Sequence, residues 1–388
     1  IYYKDIGDYL PREEKLKIVS DFGEMTNPKL KLQNIKPNKH GDWINQRNDL
    51  FETFIPIQSK KKLDLNGQSY FVINGPGIAS GRDSWIYNYS LNIVADRIEQ
   101  MVSFYNRQRN EFFKIKRNNS DVKMESFINT NPSRISWTRA LKKHLVNGTK
   151  LRFSKRNLAI SDYRPFCKQF IYFHKPLLES PGLSKMFYPE KKYDNKIITL
   201  SSIGTHKGLS VLMSESIVDY HLSGDTQCFP LHYYEERDKQ SLTIFDVTGD
   251  SKYIKRDGVS DFILNCAQEY YCDPVTKEDI FYYVYGILHC PDYKSTFAND
   301  LKKMLPRIPL VDKPKEFWAF SKAGRDLAEL HINYESVAPC PDVTVMGDES
   351  EYYTVEKLRF PKKGEQNTII YNSHIIISNI PNKAYEYE

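Results

Sequence analysis

The sequence has no CxxC pair and no Cys/His spacing of the zinc-finger kind; its cysteines, Cys167, Cys228, Cys266, Cys272, Cys290 and Cys340, are scattered. That excludes a zinc ribbon and a disulfide framework, and predicts reduced thiols in an intracellular, cytoplasmic protein. No apolar window is long enough to span a bilayer, and no signal peptide opens the chain. There is no GKS or GKT phosphate loop. Gly75-Pro76-Gly77 follows an apolar run, but its proline and missing third glycine exclude a nucleotide loop. The Asn/Asp-Pro-Pro-aromatic tetrad of an amino-methyltransferase is also missing: "TNPSR" (Thr130 to Arg134) has one proline, and Arg164-Pro165-Phe166 lacks the acceptor side chain. No nuclease-like carboxylate-x-Lys follows a strand. "SIGTHKGLS", with His206 and Lys207, reads as a surface turn because no nucleophile elbow surrounds it. His289 and His331 fall on apolar helical faces as core histidines, and Cys290 beside His289 makes no metal site without remote ligands. These residues offer no catalytic centre.

What is present is a folded chain with an uneven charge distribution. Of 388 residues, 40% are hydrophobic and 13% aromatic, enough for a sizeable core and two or three domains. Net charge is only +6, yet the window Arg134 to Arg156, "RISWTRALKKHLVNGTKLRFSKR", carries eight Lys and Arg and no Asp or Glu. Solvated surfaces usually mix signs. On composition alone, phosphate contact and an ordinary basic surface stand level.

The pattern along the chain predicts an α+β fold. Short strands and turns run to about Asn88, followed by a helix capped by Ser90, with Leu91, Val94, Ile98, Met101, Val102 and Tyr105 on one face. Trp137, Leu141 and Leu145 predict a short second helix whose opposite face holds Arg139, Lys142 and Lys143, stopped at Asn147-Gly148. Strand-like text follows: "KLRFSK", "KQFIYF", "KIITLSSI", "LSVLMS", "CFPLHYY" and "SLTIFDV". Three helical stretches fill Ser260 to Glu335, the second opened by a capping-box-like Thr276 to Asp279. After Pro341 the text returns to strands, "TVEKLRF" and "NTIIYNSHIIISNI". Both ends, "IYYKDIGDYL" without a Met and "AYEYE", read as cuts through a larger protein.

Several stretches, in this order, resemble one family: "DWINQRNDLFETFIPI" (Asp42 to Ile57), "GRDSWIYNYS" (Gly81 to Ser90), "ISWTRALKKHLVNGTKLRF" (Ile135 to Phe153), "YRPFCKQFIYF" (Tyr163 to Phe173), "HLSGDTQCFPLHYYE" (His221 to Glu235), "TKEDIFYYVYGILHCPDYKSTFANDLKKMLPRIPL" (Thr276 to Leu310) and "FWAFSKAGRDLAELHINYE" (Phe317 to Glu335). The order is similar to the C-terminal part of single-chain Type ISP restriction–modification enzymes, which join a nuclease, a helicase-like ATPase, an adenine methyltransferase and a target recognition domain. The resemblance covers most of the chain, and the helical block is its most specific part.

That resemblance implies a methyltransferase tail and helical spacer over 1–131, then a target recognition domain over 132–388 with a helical subdomain at 260–335. It implies sequence-specific recognition of double-stranded DNA without catalysis by this fragment. S-adenosylmethionine, ATP and Mg would serve the upstream methyltransferase, helicase and nuclease domains, whose motifs are absent here, and this fragment would need no cofactor. The expected phosphate contacts are Arg139, Lys142, Lys143, Arg152, Lys155 and Arg156, with Lys168 and Lys207 as further candidates. In that reading "KLRFSKR" is a strand with Lys150, Arg152 and Arg156 on one side and Phe153 and Lys155 on the other, so only part of the set can face DNA, and Arg164, Lys168 and Lys175 project from the ends and free face of the next. Motif-matching residues would be scaffold, with base readers in loops that match no motif. The alternative is a coupling domain that packs on upstream domains with little DNA affinity of its own; a third reading is an independent enzyme with an unrecognised pocket.

Overall fold

A computed structural model describes the chain except residues 60, 120, 191, 204–207, 238–251, 348–352 and 388. Among the described residues, six helices have eight or more residues: α1 (Arg12–Phe22), α2 (Leu91–Asn118), α3 (Arg139–Val146), α4 (Asp261–Tyr271), α5 (Lys277–His289) and α6 (Pro314–Ile332). Eight strands build two central sheets: β1 (Gly75–Pro76), β2 (Tyr87–Asn88), β3 (Leu158–Arg164), β4 (Cys167–Tyr172), β5 (Ile197–Leu200), β6 (Val211–Ser214), β7 (Ile217–Val218) and β8 (Gln227–Pro230). The first sheet runs β7-β3-β4-β2 and the second β1-β8-β5-β6. Every pairing is antiparallel except β7 with β3. The architecture is therefore a mixture of helices and small, mostly antiparallel sheets, as the pattern predicts.

Local signals explain the helices. Ser90 caps α2 through Ile93 N–H, Thr138 caps α3 through Leu141 N–H, and Thr276 and Asp279 form a reciprocal capping box on α5. Gly148, at φ +70°, takes the left-handed turn that ends α3. α5 is buried along nearly its whole length and packs along α6.

Two large cores organise the rest. One joins α4, α5 and α6 to β5, β6 and β8. It is completed by a distant segment: Phe51 and Ile57 pack into it, Ile55–Pro56 pairs with Arg307–Ile308, and Asn48 N–H donates to the buried Asp300 carboxylate. The other core packs α2 and α3 on the first sheet, so Tyr105 and Phe112 share it with Leu141, Leu145 and Tyr172. Side chains from both sides of residue 131 thus lie in one core.

Two strand expectations differ from the structure. Leu151 to Ser154 pairs with no strand, and Lys155–Asn157 is a 3-10 turn. "TVEKLRF" forms no strand beyond a single bridge, Arg359 to Ile370; the C-terminal sheet is instead Thr344–Met346, Ile376–Ser378 and Ile369–Ile370. "SLTIFDV" lies outside the described residues. No described helix is long and apolar enough to cross a membrane.

Candidate nucleic-acid interface

The cationic window sits on the outer side of the second core. Leu141 and Leu145 are fully buried, which turns the opposite face of α3 outward. Arg139 and Lys143 are exposed and Lys142 is half-buried. The three line one depression with Met124, Glu125, Trp137 and Val146. Trp137 is held by its indole N–H to Asn129 O at 2.9 Å and packs on Tyr105.

The following loop is fixed by side chains rather than by a sheet. Asn106 on α2 accepts from Leu151 N–H (3.1 Å) and donates to Leu151 O (2.9 Å). Phe153 stacks on Tyr172, with centroids 5.5 Å apart and planes at 13°. The Tyr172 hydroxyl accepts from Ser154 N–H (2.9 Å) and Asn157 Nδ2 (3.2 Å), and Ser154 Oγ caps the turn. Arg152, Lys155 and Arg156 are left exposed. Tyr172→Phe is expected to lower stability by about 1 kcal/mol and to loosen this turn, because Ser154 and Asn157 lose their common acceptor. Denaturant unfolding, with hydrogen exchange at Ser154, checks it.

Beneath α3, the turn Lys175–Leu177 packs on the helix. Burial, Lys143 and Lys175 all push the His144 imidazole down. Lys175 therefore belongs to the same positive field as Lys143. Sequence reasoning gave Lys175 only as a strand-end residue; nothing local told that its turn packs on α3.

Two other basic residues of the β3–β4 hairpin are engaged inside the protein. Lys168 Nζ donates to Ile332 O at 3.0 Å and lies over the Tyr334 ring, 5.6 Å from its centroid. Arg164 Nη1 meets Asp219 at 2.8 Å, and its guanidinium stacks on Tyr163 at 3.9 Å. Asp219, 2% exposed, also accepts from Tyr87 Oη and His221 N–H, both at 2.9 Å. These contacts aim both heads at protein groups up to 164 residues away. Lys207 lies outside the described residues. Among the described residues, no three His, Cys, Asp or Glu side chains come together as a metal site requires.

One buried cation gave no sequence signal. Arg82, 3% exposed, donates from Nη2 to Thr138 Oγ1 at 2.6 Å, at the N-terminus of α3. Burial lowers its pKa to about 10, and Glu179 opposes that shift.

Residues 69–388 match the family model described as the Type ISP C-terminal specificity domain. Over its whole length the chain is similar to a nuclease-deletion mutant of the Type ISP restriction-modification enzyme LlaGI, solved with a DNA substrate mimic (TM-score 0.78, 33% identity). It is also similar throughout to LlaBIII, an ATP-dependent Type ISP restriction-modification enzyme solved bound to DNA (TM-score 0.78, 31% identity). The chain spans 33% of the LlaGI chain and 24% of the LlaBIII chain. The fold is shared as well with DrdV in its DNA complex, of which the chain covers 37% (TM-score 0.75, 24% identity). No curated protein matches.

Proposed function

Because the chain belongs to the family of Type ISP C-terminal specificity domains, we propose that it binds duplex DNA through the outer face of α3 and the Arg152 to Arg156 loop, and so selects the target for catalytic domains elsewhere in a longer enzyme. The observation that carries this is an excess of one sign on one built surface: Arg139, Lys142 and Lys143 line a single depression against one acid, Glu125, and no acid falls in the window Arg134 to Arg156 that contains them. Lys and Arg there hold backbone phosphates and fix register, while base readers act from other loops. In this reading the fragment alone neither methylates nor cleaves DNA. S-adenosylmethionine, ATP and Mg serve the other domains, and Lys168 acts as a strut, not a phosphate ligand.

Replacing Lys142 and Lys143 with Ala tests it. Each phosphate contact contributes about −0.9 to the slope of log affinity against log salt, so the double variant is expected to flatten that slope by roughly one to two units. Cognate and non-cognate duplexes should weaken alike. An unchanged slope in a folded double variant rules this face out.

A second reading, a surface for packing on upstream domains, draws on a different observation. None of residues 1–50 is buried, and α1 exposes Leu16 and Val19. The two readings part on DNA affinity, which the packing reading expects to be small in the chain alone.

A further inference from the structure

We propose that the N-terminus of α3 is a seat for one DNA backbone phosphate, and that the Glu179 carboxylate occupies this seat when DNA is absent. This rests on the DNA-binding reading above and adds to it a site and an internal competitor. Glu179 Oε2 accepts from Ala140 N–H at 3.1 Å, a donor in the first turn that has no partner within the helix. Glu179 Oε1 lies 3.3 Å from Arg139 Nε. A carboxylate held by a helix N-terminus and an arginine occupies the kind of position in which a phosphate binds.

A second observation places an incompletely paired positive charge behind the seat. Arg82 reaches the same N-cap and is buried, yet among the described residues its Nε and Nη1 have no acceptor. A guanidinium left so poorly paired in the interior is costly, and an anion with more oxygens and more charge than one carboxylate compensates it better. Access is open on the outer side. Arg139 is 94% exposed and Glu179 26% exposed. Gly81, which precedes Arg82, is exposed at φ +64°, and a Cβ there would come within 3.0 Å of Thr138 Cγ2 and 3.2 Å of Glu179 Cβ. Gly81 therefore packs closely against the wall of the seat, and entry is from the Arg139 side. On binding, the phosphate takes the Ala140 N–H and Arg139, and the Glu179 side chain swings out. Glu179 thus lowers affinity for any duplex and makes this face less adhesive to non-cognate DNA.

The test is Glu179→Gln in the full chain, which keeps an acceptor and removes the charge. Non-cognate duplex affinity is expected to rise about threefold to tenfold near 0.1 M salt, with the salt slope nearly unchanged because the same phosphate is seated in both forms. Adding Arg139→Ala should abolish the gain. Inorganic phosphate should shift the Ala140 amide resonance in E179Q, and not in E179Q/R139A. Unchanged or weaker binding by folded E179Q, with an Ala140 amide indifferent to phosphate, overturns the proposal and leaves Glu179 a helix cap only. If E179Q does not fold, the wild-type chain is titrated with duplex, and an Ala140 amide that does not move overturns it equally. The Lys142/Lys143 double variant separates the two ideas: a flattened slope there with no E179Q effect removes only the seat, whereas no effect in either removes the surface.

Discussion

Acidification from pH 7.5 to 5 at constant ionic strength is expected to remove several kcal/mol of stability from the chain, through its histidines rather than its exposed carboxylates. Three imidazoles set this. His289 and His331 pack against each other, centroids 5.5 Å apart, where α5 and α6 end. Tyr285 packs on both rings and Phe166 on His331. The Nε2 of His289 and the Nδ1 of His174 are buried without an acceptor among the described residues. Burial pushes His289 down to about 3, helped by His331 and Lys294; it pushes His174 to about 4, helped by Lys185 and His144, and His331 to about 4. In the unfolded chain each titrates near 6.5. Between that value and about 4 the unfolded chain therefore binds more protons, and stability falls as pH falls. The slope approaches about 1.4 kcal/mol per pH unit for each imidazole.

Other groups modify the slope without reversing it. His144 and His232, also lowered by burial, add to the loss. Asp162 and Asp219, raised by burial, oppose it, because a folded carboxyl that holds its proton more tightly gains stability in acid. The lowered carboxyls of Asp42 and Glu179 contribute only below about pH 4. Urea unfolding at pH 7.5, 6 and 5 measures the sum. His289→Phe should remove about one imidazole's share of the slope. A midpoint flat across this range, in wild type and variant alike, would show that the folded chain carries these rings protonated.

The parts legible in sequence are those set within a few residues. The apolar faces of α2 and α5, the Thr276 cap and the Gly148 stop need only local spacing, and all four are present. α3 is likewise legible, though it begins at Arg139 and leaves Trp137 outside it, and its outer face carries Arg139, Lys142 and Lys143 as the spacing predicts. The "KLRFSKR" strand fails because alternation reports burial, not pairing. Leu151 and Phe153 do turn inward, but Asn106 takes the Leu151 backbone groups and Tyr172 takes Ser154 N–H, so no neighbouring strand is needed. Arg164 and Lys168 could not be placed from sequence, since their partners Asp219 and Ile332 lie 55 and 164 residues away. The contribution of Phe51 and Ile57 to the helical core is hidden for the same reason.

Gly324→Ala should cost the chain roughly 3 to 5 kcal/mol, although helix propensity alone favours Ala over Gly by about 1 kcal/mol. The reason is the crossing of α5 and α6. A Cβ on Gly324 would stand 1.9 Å from Tyr282 O and 2.8 Å from Gly286 N. A Cβ on Gly286 would stand 2.3 Å from Phe320 O. These obstacles are helix backbone, which cannot rotate away, so the two helices must separate by more than about 1 Å to restore ordinary contact. Separation strips packing from Phe281, Tyr283 and Phe317 and stretches the 2.9 Å bond from Ser321 Oγ to Asp279 O. It also displaces the far end of α6, where Ile332 O receives Lys168 and His331 supports Phe166. The β3–β4 hairpin would follow, and with it Tyr172, the anchor of the Lys155 turn. DNA affinity is therefore expected to fall together with stability, in a variant whose substitution touches none of the exposed cations. Exposed Lys322 on the same helix is the control, because Lys322→Ala should stay within about 0.5 kcal/mol of wild type. A G324A chain as stable as wild type, or more so, would mean that propensity governs this position and that the two backbones do not meet there.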